Sequence, residues 1–335
     1  MTDPTADELA TVLVPALNED ATIDACLDSI LAQSYDRLQV VVVDNGSDDG
    51  TQARVRARAA RDPRVELVEH PVRSIPAALN AGLAAARGRW LVRVDAHSTV
   101  PREYVARAVA RLREGAWVGV GGRKDAVAET ATGRAIAAVL GSPLAVGGSV
   151  YHHGTVEQVV DHIPFGAYPT DLIRQLGGWR EDIANNEDFE FDQRLRKHGE
   201  LLFDPRLRID WRCRETIGDL YRQYHRYGTG KPAVAVAHPE GVSPRHLLPP
   251  ALVVWLASAA VVAPFRPRLA ALMVAPYGLA VGVASSRIVR DLDDGASAPA
   301  VPAALVAMQV GWGMGFMAGV RRMLTDGAAS RRGDT

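Results

Sequence analysis

The chain has 335 residues, enough for two domains or for one domain with an appendage. Its 38 Lys and Arg are matched by 39 Asp and Glu, so no overall field draws it to nucleic acid, and no nucleic-acid partner is expected. Two distant cysteines, Cys26 and Cys213, exclude a disulfide framework and a cysteine metal site, and they suit a reducing compartment.

The opening MTDPTADELA is polar and acidic, without the basic-then-apolar order of a secretion signal. The N-terminal part is therefore expected to stay in the cytoplasm. Thr11 to Pro15 reads as a short apolar strand that Pro15 ends. Ala21 to Gln33 has helical spacing at Ile23, Leu27, Ile30 and Leu31. Gln39 to Val43 is a continuous β-branched run, the pattern of a strand buried on both faces. It ends abruptly in the turn-forming DNGSDDGT. A helix (Gln52 to Ala60), a strand (Val65 to Glu69), a helix (Ile75 to Ala86) and a strand (Trp90 to Val94) follow. This alternation predicts an α/β fold with a doubly wound, mostly parallel sheet. Ligands bind such sheets outside the carboxyl ends of the strands. Three strand ends carry polar clusters there: Asn18-Glu19, Asp44 to Asp49, and Asp95-Ala96-His97.

Composition shifts after about Leu247, and the boundary is set at 240/241. Leu247 to Ala263, Leu269 to Ser286 and Ala298 to Val320 are uncharged apolar runs, each near the ~20 residues that cross a bilayer. Two or three membrane helices are expected. Basic clusters at 266–268 and at Arg321-Arg322 flank the runs on both sides, so three full crossings would put a basic C-terminus outside. Pro249-Pro250 marks the first run as the one to be interfacial or re-entrant.

No G-x-x-x-x-G-K-[ST] loop is present, and the glycines of VGVGGRK lack the strand–turn–helix setting of a dinucleotide fingerprint. Kinase and dehydrogenase chemistry are set aside. Asp95 and His97 are two apart, so on a strand they face one way. Asn186-Glu187-Asp188 precedes an amphipathic helix (Phe189, Phe191, Leu195), where acidic residues also suit the helix dipole. Gln223 and Arg226 are three apart and share a helix face. The adjacent His152 and His153 cannot face one site on a helix or strand, and with His162 they read as loop or acceptor-region residues.

Five segments in a fixed order carry a resemblance: VPALNEDATIDACLDSILAQSY, VVVDNGSDDGT, LNAGLAAARGRWLVRVDAH, PFGAYPTDLIRQLGGWREDIANNEDFEFDQRLRKHG and QYHRYG. Together they resemble family 2 glycosyltransferases of the GT-A fold, over about residues 11 to 230. Within that family they are most similar to the ExoA-type subgroup of succinoglycan glucosyltransferases, which also carry C-terminal membrane helices.

The resemblance implies a donor nucleotide site of Pro15, Asn18, Glu19, Asp44, Ser47, Asp48, Arg73, Asn80 and Asp95. Asp44 would accept the uracil N–H; Ser47 and Asp48 read equally as turn residues. Arg73 would contact uracil or phosphate, or is a surface Arg. Asp95 and His97 stand where the family has D-x-D, and would hold Mn²⁺ or Mg²⁺ against the leaving diphosphate. His97 departs from that pattern; it tilts the choice to Mn²⁺, or it supports the site without ligating. Trp211 lies where many relatives carry His. Asp188 would be the catalytic base, with Glu187 orienting it or the acceptor. Gln223, Arg226 and Tyr227 would meet the diphosphate and acceptor, Tyr227 replacing the usual Trp.

The implied activity is inverting transfer of a hexose, glucose or a relative, from a UDP-sugar to a hydroxyl of a polyprenyl-linked saccharide. It would run at the cytoplasmic membrane face, in cell-surface polysaccharide or glycolipid synthesis. Two other readings stay open: a polyprenyl-phosphate glycosyltransferase, and a non-catalytic membrane-bound sugar-nucleotide binder.

Overall fold

Hydrophobic alternation gives way to continuous apolar runs wherever a strand is covered on both faces, and this sets the centre of the sheet. The computed structural model describes residues 9–183, 185–239, 243, 246–292 and 295–333. The polar stretch 1–8 and the expected boundary at 240/241 lie outside them. In chain order the elements are β1 (Ala10–Ala16), α1 (Ile23–Leu31), β2 (Leu38–Asp44), α2 (Thr51–Ala59), β3 (Val65–Glu69), α3 (Ile75–Ala85) and β4 (Trp90–Arg93). Then come β5 (Ser98–Thr99), α4 (Tyr104–Arg113), β6 (Trp117–Val127), α5 (Ala131–Leu140), α6 (Pro143–Val146) and β7 (Gln158–Val160). They are followed by β8 (Ala167–Pro169), α7 (Thr170–Gln175), α8 (Glu187–Leu195) and β9 (Glu200–Arg212). The C-terminal helices are α9 (Ile217–Ala237), α10 (Leu248–Val262), α11 (Pro267–Arg290) and α12 (Val301–Gly333).

By internal contacts the chain forms two units: Met1–Asp125 with Val150–Arg212, and Ala126–Ser149 with Cys213–Thr335.

The first unit holds the sheet, in the order β3-β2-β1-β4-β8-β6-β9-β5, with β7 beside β9. β3, β2, β1 and β4 are parallel, as the β-α alternation predicts. Beyond β4 the sheet turns mixed, because β8 runs antiparallel to both β4 and β6. That half joins the short strands β5, β7 and β8 to the long β6 and β9, and these pair across wide separations in sequence that local periodicity does not mark. Pro15 lies inside β1 instead of ending it, since the strand continues to Ala16. It is tolerated because β4 stops at the Leu13–Arg93 pair, so no neighbour needs the missing N–H on that side.

β2 is buried at every position. One face of the sheet packs Leu13, Val41 and Val43 against Leu79 and Leu83 of α3 and Phe191 and Leu195 of α8. Full burial of each such side chain contributes roughly 1.5–3 kcal/mol. Gly82 lets α3 lie close, because a Cβ there would overlap Leu13. Phe191 and Leu195, one turn apart, sink α8 into this core, and the helix starts with Glu187 and Asp188.

In the second unit α12 lies along α9. Gly311, Gly315 and Gly319 recur every four residues and meet Tyr221, His225 and Thr229 of α9. A Cβ at Gly315 would overlap the His225 carbonyl oxygen, so the two backbones touch through a small-residue ridge. Among the described residues two helices are long and apolar enough to span a bilayer, Pro267–Arg290 and Gly295–Thr325. The first has only 11 % of its apolar window covered by protein. Leu248–Val262 has 15 residues, short of a span.

Candidate active site

The site grows from the carboxyl ends of β1, β2 and β4. The register places Ala16 beside Asp44, so the chain leaves both strands at one level. Asp44 is buried, and its Oδ2 accepts from the Gly46 and Ser47 N–H groups, each at 3.2 Å, and from Gln52 Nε2 at 2.6 Å. Its Oδ1 is buried with no hydrogen-bond partner among the described residues. A buried carboxylate oxygen left without a donor is costly, and it fits an N–H arriving with a ligand.

Asn18 takes a left-handed backbone, φ 57°, which Asn tolerates. Its N–H donates to Ser47 Oγ at 2.9 Å, and its Oδ1 accepts from the Asp48 N–H at 3.0 Å. Arg73 donates to the Gly46 carbonyl (3.1 Å) and to Asp48 Oδ2 (2.8 Å). The Arg73 and Asn18 hydrogen bonds hold Asp48 below the usual carboxylate range. Asn18, Ser47, Asp48 and Arg73 thus form one exposed network beside Asp44. Asp49 serves the turn, accepting from the Thr51 N–H and hydroxyl.

Asn80 is tied differently. Its Nδ2 donates to the Trp179 carbonyl and to Glu181 Oε1, both at 2.9 Å, and its Oδ1 accepts from the Trp179 N–H at 2.8 Å. Both amide hydrogens are engaged, so Asn80 pins the loop ahead of α8 to α3 and offers no free hydrogen to a nucleotide.

Past β4, Arg93, Asp95 and His97 project in sequence. The Arg93 guanidinium is buried, donates from Nε to Asp95 Oδ1 at 2.9 Å, and lies 3.5 Å from Glu187 Oε1 through a terminal nitrogen. Burial opposes its charge, but Asp95, Glu187 and Asp188 outweigh that and hold it firmly protonated. The Phe165 ring lies under both Arg93 (5.7 Å) and Lys124 (5.3 Å). Phe165 itself has φ 55°, a left-handed conformation that costs an aromatic residue roughly 1–3 kcal/mol. Lys124 also sits 4.2 Å above the Trp211 ring.

His97 does not present a lone pair for a metal. Trp211 donates its indole N–H to His97 Nε2 at 2.8 Å, which leaves the hydrogen on Nδ1, 2.9 Å from Glu19 Oε1. Of the expected D-x-H pair, His97 Nε2 is thus engaged by Trp211, while Asp95 keeps a second oxygen with no partner among the described residues. Among the described residues no group of three His, Cys, Asp or Glu is arranged around a common point. One carboxylate fits a Mg²⁺- or Mn²⁺-type ion that takes its other oxygens from a diphosphate and water.

Asn186 adopts φ 64° and turns the chain into α8. Three carboxylates then crowd one another. Glu187 is 8 % exposed, and burial with the neighbouring Asp188 raises it to about 7. Asp192 is 0 % exposed, and burial raises it to about 6. Asp188 is 32 % exposed. Burial would raise it too, but His162 and Arg93 outweigh that and hold it below its ordinary value. Its Oδ1 accepts the Phe189 N–H at 2.7 Å.

Two cations of this site, Arg93 and Lys124, belong to no assigned motif position. Arg93 is signalled by its spacing, two residues before Asp95 on the same strand face. Lys124 has no local signal, and Trp211 is marked only by the family position noted above, because β6 and β9 meet only in the sheet. In the second unit, Gln223 is buried on α9 and its Nε2 donates to Tyr227 Oη at 3.1 Å. Arg226 lines an open cavity of about 510 Å³ with Arg214, Asp219, Tyr221, Arg222 and His225.

A parallel β-α half-sheet, with a buried aspartate after its second strand, an aspartate after its fourth and an acidic helix start beyond, defines a glycosyltransferase of the GT-A fold. The model of the family described as "Glycosyl transferase family 2" matches residues 11–141. Succinoglycan biosynthesis protein ExoA of Rhizobium meliloti is 31 % identical over 258 residues, 73 % of this chain and 76 % of that protein. The chain belongs to glycosyltransferase family 2. Among solved structures, the mannosyltransferase PcManGT from Pyrobaculum calidifontis, in complex with GDP-Man and Mn²⁺, superposes with a TM-score of 0.56 at 23 % identity. That match covers 96 % of this chain and 89 % of that one. S. aureus TarS 1–349 in complex with UDP-GlcNAc gives 0.51 at 16 % identity, over 93 % and 92 %. At these identities the likeness is one of fold.

Proposed function

We propose that the protein is an inverting hexosyltransferase that moves a sugar, glucose or a relative, from a UDP-sugar to a hydroxyl of a polyprenyl-linked saccharide. The observation that carries this reading is the contrast among the α8 carboxylates. Only Asp188 is both held ionised and reached by solvent, while Glu187 and Asp192 are buried and pushed up. A single displacement needs one such base, and a glycosidase would need a pair. Asp188 takes the acceptor hydroxyl proton as the oxygen attacks the anomeric carbon. Glu187, paired with Arg93, orients the base. The unpartnered Asp44 Oδ1 suits the N–H of a pyrimidine base, and Asn18, Ser47, Asp48 and Arg73 border it. Asp95 would hold a divalent ion, which supplies positive charge to the departing diphosphate. The Mn²⁺ in the PcManGT complex supports that assignment.

The name of the R. meliloti relative supports a place in extracellular polysaccharide synthesis, and the two long apolar helices support attachment to a membrane with the catalytic unit on the cytoplasmic side. Gln223, Arg226 and Tyr227 are proposed to serve the diphosphate or acceptor. The test is a panel of UDP-, GDP- and dTDP-sugars with full-length protein, read first by thermal shift with Mn²⁺ and Mg²⁺. Transfer to a polyprenyl-diphosphate saccharide from a UDP-hexose is expected; transfer only to polyprenyl phosphate, surviving Asp188→Asn, would replace this reading.

A further inference from the structure

In the connection ahead of β8, His162 lies between two carboxylates of α8. Asp188 and Asp192 are four residues apart and so stand on one helix face. His162 Nδ1 is 2.7 Å from Asp192 Oδ2, and Nε2 is 3.8 Å from Asp188 Oδ2. The same Asp192 oxygen accepts the Ile163 N–H at 2.8 Å, so main chain fixes the group that fixes the ring. Tyr151 meets the ring edge-on at 5.4 Å, and Phe189 lies at 5.5 Å. Phe191 and Leu195 of the same helix are buried in the sheet core.

We propose that His162, held by Asp192 and set between the two α8 carboxylates, is the positioning residue of Asp188 and aims the base at the acceptor. The inference rests on the reading of Asp188 as the base. The charged and titratable groups facing this cluster are Asp161 beside the ring, Asp188 and Asp192 from α8, His152 and Tyr151 from the preceding turn, Lys124 from β6 and Tyr168 from β8. Arg93 of β4 faces Asp188 from the other side together with Glu187. Burial opposes a charge on His162, but Asp188, Asp192 and Asp161 outweigh it and hold the ring above its ordinary value. In the reaction the hydroxyl proton passes to Asp188 as the acceptor oxygen–carbon bond forms. The bond from the anomeric carbon to the diphosphate breaks, and its electron pair leaves with the nucleoside diphosphate. His162 keeps its proton throughout.

The experiment has two arms on full-length protein in detergent. Nucleotide release from UDP-glucose, UDP-galactose, UDP-N-acetylglucosamine and GDP-mannose is followed against pH for wild type, His162→Gln, Asp192→Asn and Asp188→Asn. In parallel, ¹³C-labelled histidine is titrated by NMR, with His162 assigned among the nine histidines by its loss in His162→Gln. Removing the cation should raise the proton affinity of Asp188, so the acid limb of kcat/KM in His162→Gln moves up by about 1 pH unit. Asp192→Asn should move it the same way by less, and in Asp188→Asn the His162 titration should fall. A wild-type acid limb in His162→Gln, with a His162 titration indifferent to Asp188→Asn, overturns the inference and leaves Asp188 as the base. Retained activity in Asp188→Asn overturns that reading and this one with it. If His162→Gln does not fold, His162→Asn takes its place in both arms; if no donor turns over, the assigned wild-type and Asp188→Asn titrations decide alone.

Discussion

Trp211 donates its indole N–H to the Nε2 of His97, joining residues 114 positions apart across the β5–β9 pairing. The bond takes the lone pair that a metal would need. Removing His97 should therefore leave metal-dependent donor binding in place. In Mn²⁺-titrated thermal shifts with the donor, His97→Gln is expected to keep most of the stabilisation, whereas Asp95→Ala should lose it. Equal loss in both variants would return His97 to the ligand set.

Asp44 presents a buried oxygen with no donor among the described residues. In Asp44→Asn the main-chain N–H groups at Oδ2 lose their charged acceptor, and the oxygen proposed to meet the base is no longer a carboxylate's. A charge-assisted hydrogen bond is worth roughly 1.5–3 kcal/mol, so donor affinity should fall about 10- to 100-fold. Isothermal titration with the donor identified in the panel reads this directly.

Asp188→Asn should lower kcat by about 10²- to 10⁴-fold with donor affinity nearly unchanged, because a general base acts in the transition state. Glu187→Gln should cost less in kcat, since it removes one partner of Arg93 and not the proton acceptor. A larger loss for Glu187 than for Asp188 would exchange their roles.

Glu187 is raised from its ordinary 4.5 to about 7, so the folded state binds its proton more tightly than the unfolded state. That contribution to stability is full below about 4.5 and is lost as pH rises through about 7. Wild-type Tm should accordingly drift downward across this window, and Glu187→Gln should flatten part of the drift. Asp192, raised to about 6, retains the remainder. An unchanged slope in melting curves from pH 4.5 to 7 would refute the assignment.

The α12 ridge makes a separate prediction. Gly315→Leu places a side chain where the His225 carbonyl stands, and overpacking of this kind typically costs about 1–3 kcal/mol. Tm should fall in Gly315→Leu by differential scanning calorimetry, while Gly295→Leu, which meets open space, should leave it unchanged.

Much of the parallel half of the fold is legible in the sequence. The run LQVVVVD, its abrupt DNG ending and the helix spacings on either side specify β2 and its neighbours, because one-dimensional periodicity records which face of each element is buried. The same logic places Asn18, Asp44 and Asp95 at strand ends, and the acidic start of α8 follows from its position before Phe189, Phe191 and Leu195. What periodicity cannot carry is pairing between distant segments. Only the tertiary structure brings Trp211 onto His97, gives the Asn80 amide to Trp179, and sets Lys124 over the same aromatic wall as Arg93. It also decides which carboxylate is ionised. Glu187, Asp188 and Asp192 are chemically alike in sequence, and the burial of each, with the cations Arg93 and His162 on either side, separates them. A residue's type and spacing are local properties, whereas its solvation and its charge partners belong to the assembled sheet.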